Sequence, residues 1–126
     1  MDPTFLTIEE VIELHRMSIE RHGGDPNLRD LSLLDAALAV PQSTFGRAFL
    51  HHDLPAMAAA YAFHIANNHP FVDGNKRTAA LAAVTFLDLN GIDFNVNPDE
   101  FADVILQVAA GLLDKQGLTE YFRQHI

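Results

Sequence analysis

The chain has 126 residues, 48% hydrophobic and 20% charged, which is enough apolar material for one folded core and far from the composition of disordered chains. Eight lysines and arginines against seventeen aspartates and glutamates give a formal net charge of −9, which disfavours electrostatic capture of nucleic acid or of an anionic membrane; any phosphate must be held by a local site. Cysteine is absent, excluding disulfide and thiolate chemistry, and with neither a basic apolar leader nor a membrane-length apolar run, a single cytoplasmic domain over residues 1–126 is expected.

Thr7 followed by Glu10 reads as a capping box, and Ile8, Val11, Ile12, His15 and Ile19 recur at helical spacing until Gly23-Gly24. The turn-rich DPNLRDLS leads, with Asp30 or Ser32 as cap, into a short helix LLDAALAV that ends before Pro41. QSTFGRAFLHH shows no regular pattern. Asp53 and Pro55 then open a long Ala-rich helix, AMAAAYAFHIANN, whose composition marks it as buried. Pro70 disfavours the α conformation at His69, so this helix should end near Asn68 with His69 at its exit. The next helix runs from near Gly74 to a stop at Gly91, and IDFNVN alternates like a short extended piece, though one such piece cannot make a sheet alone. Asn97, Pro98 and Glu100 open a further helix, FADVILQVAAGLL, and a short one, LTEYFRQHI, follows. The expected fold is all-α, a compact bundle of about six helices.

Residues 69–77, HPFVDGNKR, break a local rule. Lys76 and Arg77 fall in the first turn of a helix, where the macrodipole disfavours cations by roughly 0.3–1 kcal/mol. A bound anion reverses that sign. Backbone N–H groups, an ammonium and a guanidinium make a phosphate cradle, and Gly74 allows close approach of the backbone. Asp73 is a hard oxygen ligand suited to a magnesium ion that bridges phosphates, and His69, at the helix exit, is the kind of group that takes a proton from a hydroxyl. Phe71 should point inward and anchor the loop. Singly, each residue has an ordinary explanation: a histidine capping a carbonyl, an aspartate N-cap, a solvated cationic face. Together, five polar groups around one helix start favour a site.

The same stretch resembles the signature loop of the Fic/Doc family, H-x-F-x-D/E-G-N-G/K-R, at every constrained position. RHGG, LRDLSLLDAALAVPQSTFG and LAAVTFLDLNG resemble the Doc-type (death-on-curing) toxins of toxin–antitoxin pairs, so the resemblance covers nearly the whole chain. It implies that His69 is the general base on a target hydroxyl and that Asp73 holds Mg2+. It further implies that Asn75, Lys76 and Arg77 bind nucleotide phosphates, with Gly74 and Phe71 shaping the loop. Two positions depart from the AMP-transferring members. Lys76 replaces a Gly, and Ala80 stands where they carry a second Arg. The resemblance therefore implies an inverted ATP that presents its γ-phosphate, and phosphorylation of a Ser/Thr hydroxyl on a translation factor such as elongation factor Tu, arresting translation. AMP transfer of the Fic type and a non-catalytic binding module are the alternatives. The family's inhibitory pattern S/T-x-x-x-E-G/N is not found, so inhibition in trans by an antitoxin protein is expected.

Lesser features remain. His51-His52-Asp53 suggests a metal-dependent phosphohydrolase, against which stands a plain role for Asp53 as a helix cap. His64 reads as a core histidine with a backbone partner, or as a buttress of the 69–77 loop. The charged end of RHGG suits a nucleotide or a partner, and Arg21 has no assigned role.

Overall fold

The computed structural model describes residues 2–126. Its elements are α1 (Ile8–His22), α2 (Leu31–Ala39), a single 3-10 turn (Val40–Gln42), β1 (Thr44–Phe45), β2 (Ala48–Phe49), α3 (Leu54–Asn68), α4 (Asn75–Leu89), α5 (Pro98–Ala109) and α6 (Lys115–Gln124). This is the all-α bundle of six helices expected from the periodicity. No helix of the described residues is long and apolar enough to cross a membrane.

The bundle is built around α3. Ala58, Ala59, Ala60, Tyr61, Ala62 and Ile65 are fully buried, and the helix packs against α2, α4, α5 and α6. Alanine explains this: it favours helix and holds no neighbour at a distance, so several helices can close on one. The α4 face that meets it carries Ala79, Ala82, Ala83, Phe86 and Leu87, all buried, at the three- and four-residue spacing of one helical face. The hydroxyl of Tyr61 sits in this core and accepts the Leu6 N–H at 3.0 Å, so its polar tip is satisfied.

Helix starts follow the sequence closely. Thr7 and Glu10 form the capping box, Asp30 accepts from the N–H groups of Ser32 and Leu33, and Asn97 caps α5. IDFNVN, expected as an extended piece that cannot make a sheet alone, joins no sheet among the described residues; Ile92, Phe94 and Val96 pack against the core while Asp93 and Asn95 face water. Other details differ. The β-hairpin lies instead in QSTFGRAFLHH, with Thr44 opposite Phe49, Phe45 opposite Ala48, and Gly46 at φ 65° in the turn. The α5 helix stops before the predicted GLL, and α6 begins three residues before LTEYFRQHI, because the Asp114 side chain accepts from the Gly117 N–H and starts it there.

The lesser histidines resolve differently from expectation. Among the described residues the His64 ring hydrogen-bonds neither a backbone group nor the 69–77 loop; its Nε2 accepts from the Lys115 ammonium of α6 at 3.2 Å. Burial, then the Lys115 charge and then His51, push the His64 pKa down to about 4. The neutral ring is therefore the folded form. That contribution to stability is complete above the ordinary histidine value of 6.5 and is lost as pH falls from there towards 4. The ring is only half-buried, so solvent reduces the effect to on the order of 2 kcal/mol. Thermal melts between pH 7 and pH 4.5 should show this loss, and the His64→Phe variant should show a smaller slope; equal slopes would remove His64 as the cause. Asp53 has the plain role: Oδ1 accepts the Ala56 N–H at 2.9 Å and Oδ2 pairs with Arg123 at 3.0 Å, so both oxygens are engaged in joining α3 to α6.

Candidate active site

The α3 helix ends at His69, which adopts the left-handed conformation with φ 52° and ψ 54°. Among the described residues no other non-glycine residue has positive φ. The position costs a histidine about 1–2 kcal/mol, so neighbouring contacts must hold it. They come from residues 25–30, between α1 and α2, which lie alongside the loop. The N–H groups of Arg29 and Asp30 donate to Pro70 O at 2.8 and 3.0 Å, and the Val72 N–H donates to Asn27 O at 3.0 Å. Leu28 and Phe71 form an antiparallel bridge, and the Asp25 N–H donates to Asp73 Oδ2 at 3.0 Å. Arg29 adds its side chain, Nε to His69 O at 2.6 Å and Nη2 to Asn68 O at 2.9 Å.

From inside, α1 supports the same loop. Phe71 is buried, as expected, and stacks on the ring of His15 at 3.7 Å and 6°. His15 Nε2 donates to Asp73 O at 2.8 Å, and because a carbonyl only accepts, that nitrogen carries a proton. Asn75 closes the loop: Oδ1 accepts the Phe71 N–H at 3.0 Å, while Nδ2 donates to Phe71 O at 2.9 Å and lies 3.0 Å from His69 Nδ1. Both polar ends of its side chain are thus engaged within the loop, and what Asn75 has left for a phosphate is its backbone N–H.

The two backbone contacts fix which end of the Asn75 amide faces His69. An amide nitrogen only donates, so Nδ1 accepts and the neutral ring carries its proton on Nε2. Ring 15N shifts of the ligand-free protein should show a protonated Nε2 at His69; a protonated Nδ1 would mean that the Asn75 contact does not form in solution.

Gly74 is in the left-handed region, φ 79°, and a Cβ there would meet Ile19 Cδ1 at 3.3 Å, so a glycine suits this corner twice over. The first turn of α4 begins with Thr78 N–H to Gly74 O at 2.9 Å, leaving the N–H groups of Asn75, Lys76 and Arg77 without an intrahelical acceptor. Lys76 and Arg77 are exposed, and neither forms an ion pair among the described residues. Above this turn lies a cavity of about 610 Å³. His69, Asp73, Lys76 and Arg77 line one side, Phe101, Ile105 and Leu106 of α5 make an apolar wall, and Ser18 and His22 of α1 complete it.

The structure thus gathers every residue singled out in 69–77 at one cavity or directly beneath it. Arg21 does not join them; it lines an adjoining, smaller cleft of about 480 Å³ with Arg16 and Glu20, whereas its neighbour His22 lines both. Several contributors had no assigned part in the sequence reading: His15, Ser18, Asp25, Asn27 and Arg29. Ser18 is 4% exposed, lines the cavity and has an Oγ without a protein partner among the described residues. Two sequence signals touched Arg29: it is an isolated cation in the turn-rich DPNLRDLS of an acidic chain, and it lies in the Doc-like stretch LRDLSLLDAALAVPQSTFG.

Fold and loop together define a class of protein. The Fic/DOC family description matches residues 5–87, and the chain belongs to the Fic/Doc family. Within it, the similarity runs to Doc proteins. The chain is 46% identical over 91 residues to the "Toxin Doc" of Mycolicibacterium smegmatis, an alignment covering 69% of this chain and 68% of the relative. It is 33% identical over 116 residues to the "Protein kinase doc" of Escherichia phage P1, covering 92% of this chain and 90% of that protein.

Proposed function

We propose that the chain is a Doc-type toxin of a toxin–antitoxin pair that transfers the γ-phosphate of ATP to a Ser/Thr hydroxyl of a translation factor. Elongation factor Tu is the expected target, and translational arrest in the cytoplasm the expected effect. The observation that carries this reading is the placement of His69 at the rim of a cavity whose floor is a cationic helix start, Lys76 and Arg77 beside unbonded N–H groups. The phage relative named as a protein kinase, similar over nine-tenths of both chains, supports it.

The donor set fits a nucleotide with magnesium. Asp73 has one oxygen on the Asp25 N–H, and Oδ1 is left without a protein donor among the described residues. No group of three or more His, Cys, Asp or Glu side chains gathers to hold a metal among the described residues. An ion at Asp73 would therefore complete its shell with water and phosphate oxygens, which is the habit of magnesium. Its chemistry there is neutralisation of phosphate charge.

The chain's own groups do the rest. The N–H groups of α4, the Lys76 ammonium and the Arg77 guanidinium hold the phosphates and the charge that develops during transfer. The apolar α5 wall suits the base or ribose. His69 takes the proton of the acceptor hydroxyl, after which the oxygen bonds to the γ-phosphorus and the bond to the β-phosphate oxygen breaks, releasing ADP. Nε2 accepts only when the proton it carries in the resting ring has moved to Nδ1; the Asn75 amide nitrogen that faces Nδ1 is itself a donor, so that contact must be released before His69 acts as the base. An antitoxin chain that covers the cavity or its rim would inhibit in trans.

Incubation with bacterial extract and ATP labelled at either the α- or the γ-phosphate tests the reading. Label on protein from the γ position alone is the expected result. Transfer from the α position alone would establish nucleotide transfer instead, and no transfer of either label would leave a binding module.

A further inference from the structure

We propose that Arg29, outside the 69–77 motif, is a positioning residue that sets His69 in its reactive orientation. This rests on the reading of His69 as the base, and it concerns how that base is held.

The helix that delivers His69 ends without a glycine. A left-handed residue after the last helical turn is normally Gly, because a Cβ there is disfavoured. At this position the chain has a histidine that is also followed by proline. Asn68, at the end of α3, has a carbonyl with no helical N–H to receive, and the carbonyls of His69 and Pro70 point out of the turn. Arg29 meets all three. Its Nη2 donates to Asn68 O at 2.9 Å, its Nε to His69 O at 2.6 Å, and its backbone N–H to Pro70 O at 2.8 Å.

Three consecutive carbonyls bound by one residue fix the peptide planes on both sides of His69. Those planes determine where its Cβ points, and hence where the imidazole meets an acceptor. The guanidinium is suited to this because its donors form a rigid planar fork; an ammonium is a single point from which the two side-chain bonds cannot be made in the same geometry. Inside the loop, Asn75 fixes the ring through Nδ1. The two contacts differ: Arg29 sets the backbone of His69 in either tautomer, whereas Asn75 holds the ring only in its resting form.

Arg29 is exposed, so its removal leaves carbonyls that water can solvate and should not unfold the domain. The consequence is expected in geometry and rate. A displacement of about 1 Å in a reacting group costs on the order of 100-fold in rate.

The test compares wild type, Arg29→Ala and Arg29→Lys in the full chain, with thermal melts as a folding control. The first readout needs no activity: the backbone 13Cα and carbonyl shifts of His69, which report the left-handed conformation. They are expected to move away from left-handed values in Arg29→Ala. The second is γ-phosphate transfer. In Arg29→Ala, kcat should fall by up to about 100-fold with the KM for ATP little changed. Added ethylguanidinium, which can enter the open space left on this exposed face, should restore part of the rate. Arg29→Lys should remain impaired.

Unchanged His69 shifts in Arg29→Ala would overturn the proposal. So would a full rate in Arg29→Lys, which would make charge rather than the fork the contribution, or a loss confined to KM, which would make Arg29 a nucleotide contact. If the wild type transfers no label from either position, the kinase reading fails by itself, and the shifts still decide whether Arg29 sets the His69 backbone.

Discussion

Replacing His69 by alanine should lower phosphate transfer by about 10²–10⁴-fold, the usual contribution of a positioned general base, and should abolish growth arrest when the chain is expressed. The fold should persist. The side chain lost makes one hydrogen bond, to Asn75, and its removal costs about 0.5–1.5 kcal/mol. The backbone is held independently, through carbonyls of 68–70 that alanine leaves in place. Nucleotide affinity should also persist, because the proposed phosphate-binding groups lie on the first turn of α4. Labelled-ATP assays, nucleotide binding and a thermal melt on the same preparation check these together. Arrest that continues unchanged with a well-folded His69→Ala chain would mean that catalysis by His69 is not the toxic event.

Lys76→Ala separates activity from stability. As the ammonium facing the proposed phosphate site, Lys76 should contribute about 10²–10³-fold to kcat, the range seen when one donor to developing charge is removed. As a cation in the first turn of α4 with no acidic partner among the described residues, it also opposes the helix dipole. Its removal should therefore stabilise the ligand-free protein by roughly 0.3–1 kcal/mol. A variant that is more stable and nearly inactive is the expected outcome, read by melts and by γ-label transfer. Lys76→Gly, which restores the residue of AMP-transferring relatives, should lose γ transfer without gaining α transfer, because Ala80 still supplies no second guanidinium. A Lys76→Ala chain that is less stable would show that the ammonium has a structural partner, and one that keeps its rate would remove it from the site.

Much of this was legible in the sequence because it rests on local rules. Capping at Thr7, Asp30, Asp53 and Asn97 depends on residues two or three apart, and the buried α3 is written in its alanines. The motif 69–77 was legible for the same reason: its residues are neighbours along the chain and so remain neighbours in space. What was not legible depends on distant partners. His64 needed Lys115, fifty-one positions away, before its environment could be understood. The side-chain duties of Asn75 could not be separated from its proximity to phosphates until the loop closed around it. His15 and Arg29 support the site from fifty-eight and forty positions away, and their immediate sequence does not tell which residues they bond.

The pairing of residues 25–30 with 70–73 also bears on protein engineering. Exposed, Pro- and Asn-containing connectors between helices are the usual places for inserting a peptide tag, splitting a chain or moving its ends, because such changes are ordinarily silent there. In this chain the connector between α1 and α2 is the outer rail of the reactive loop. A split or inserted tag at Pro26–Leu28 would leave the helices intact and disarm the protein, which makes that connector a place to install an external off-switch for a toxin without touching any residue of its motif.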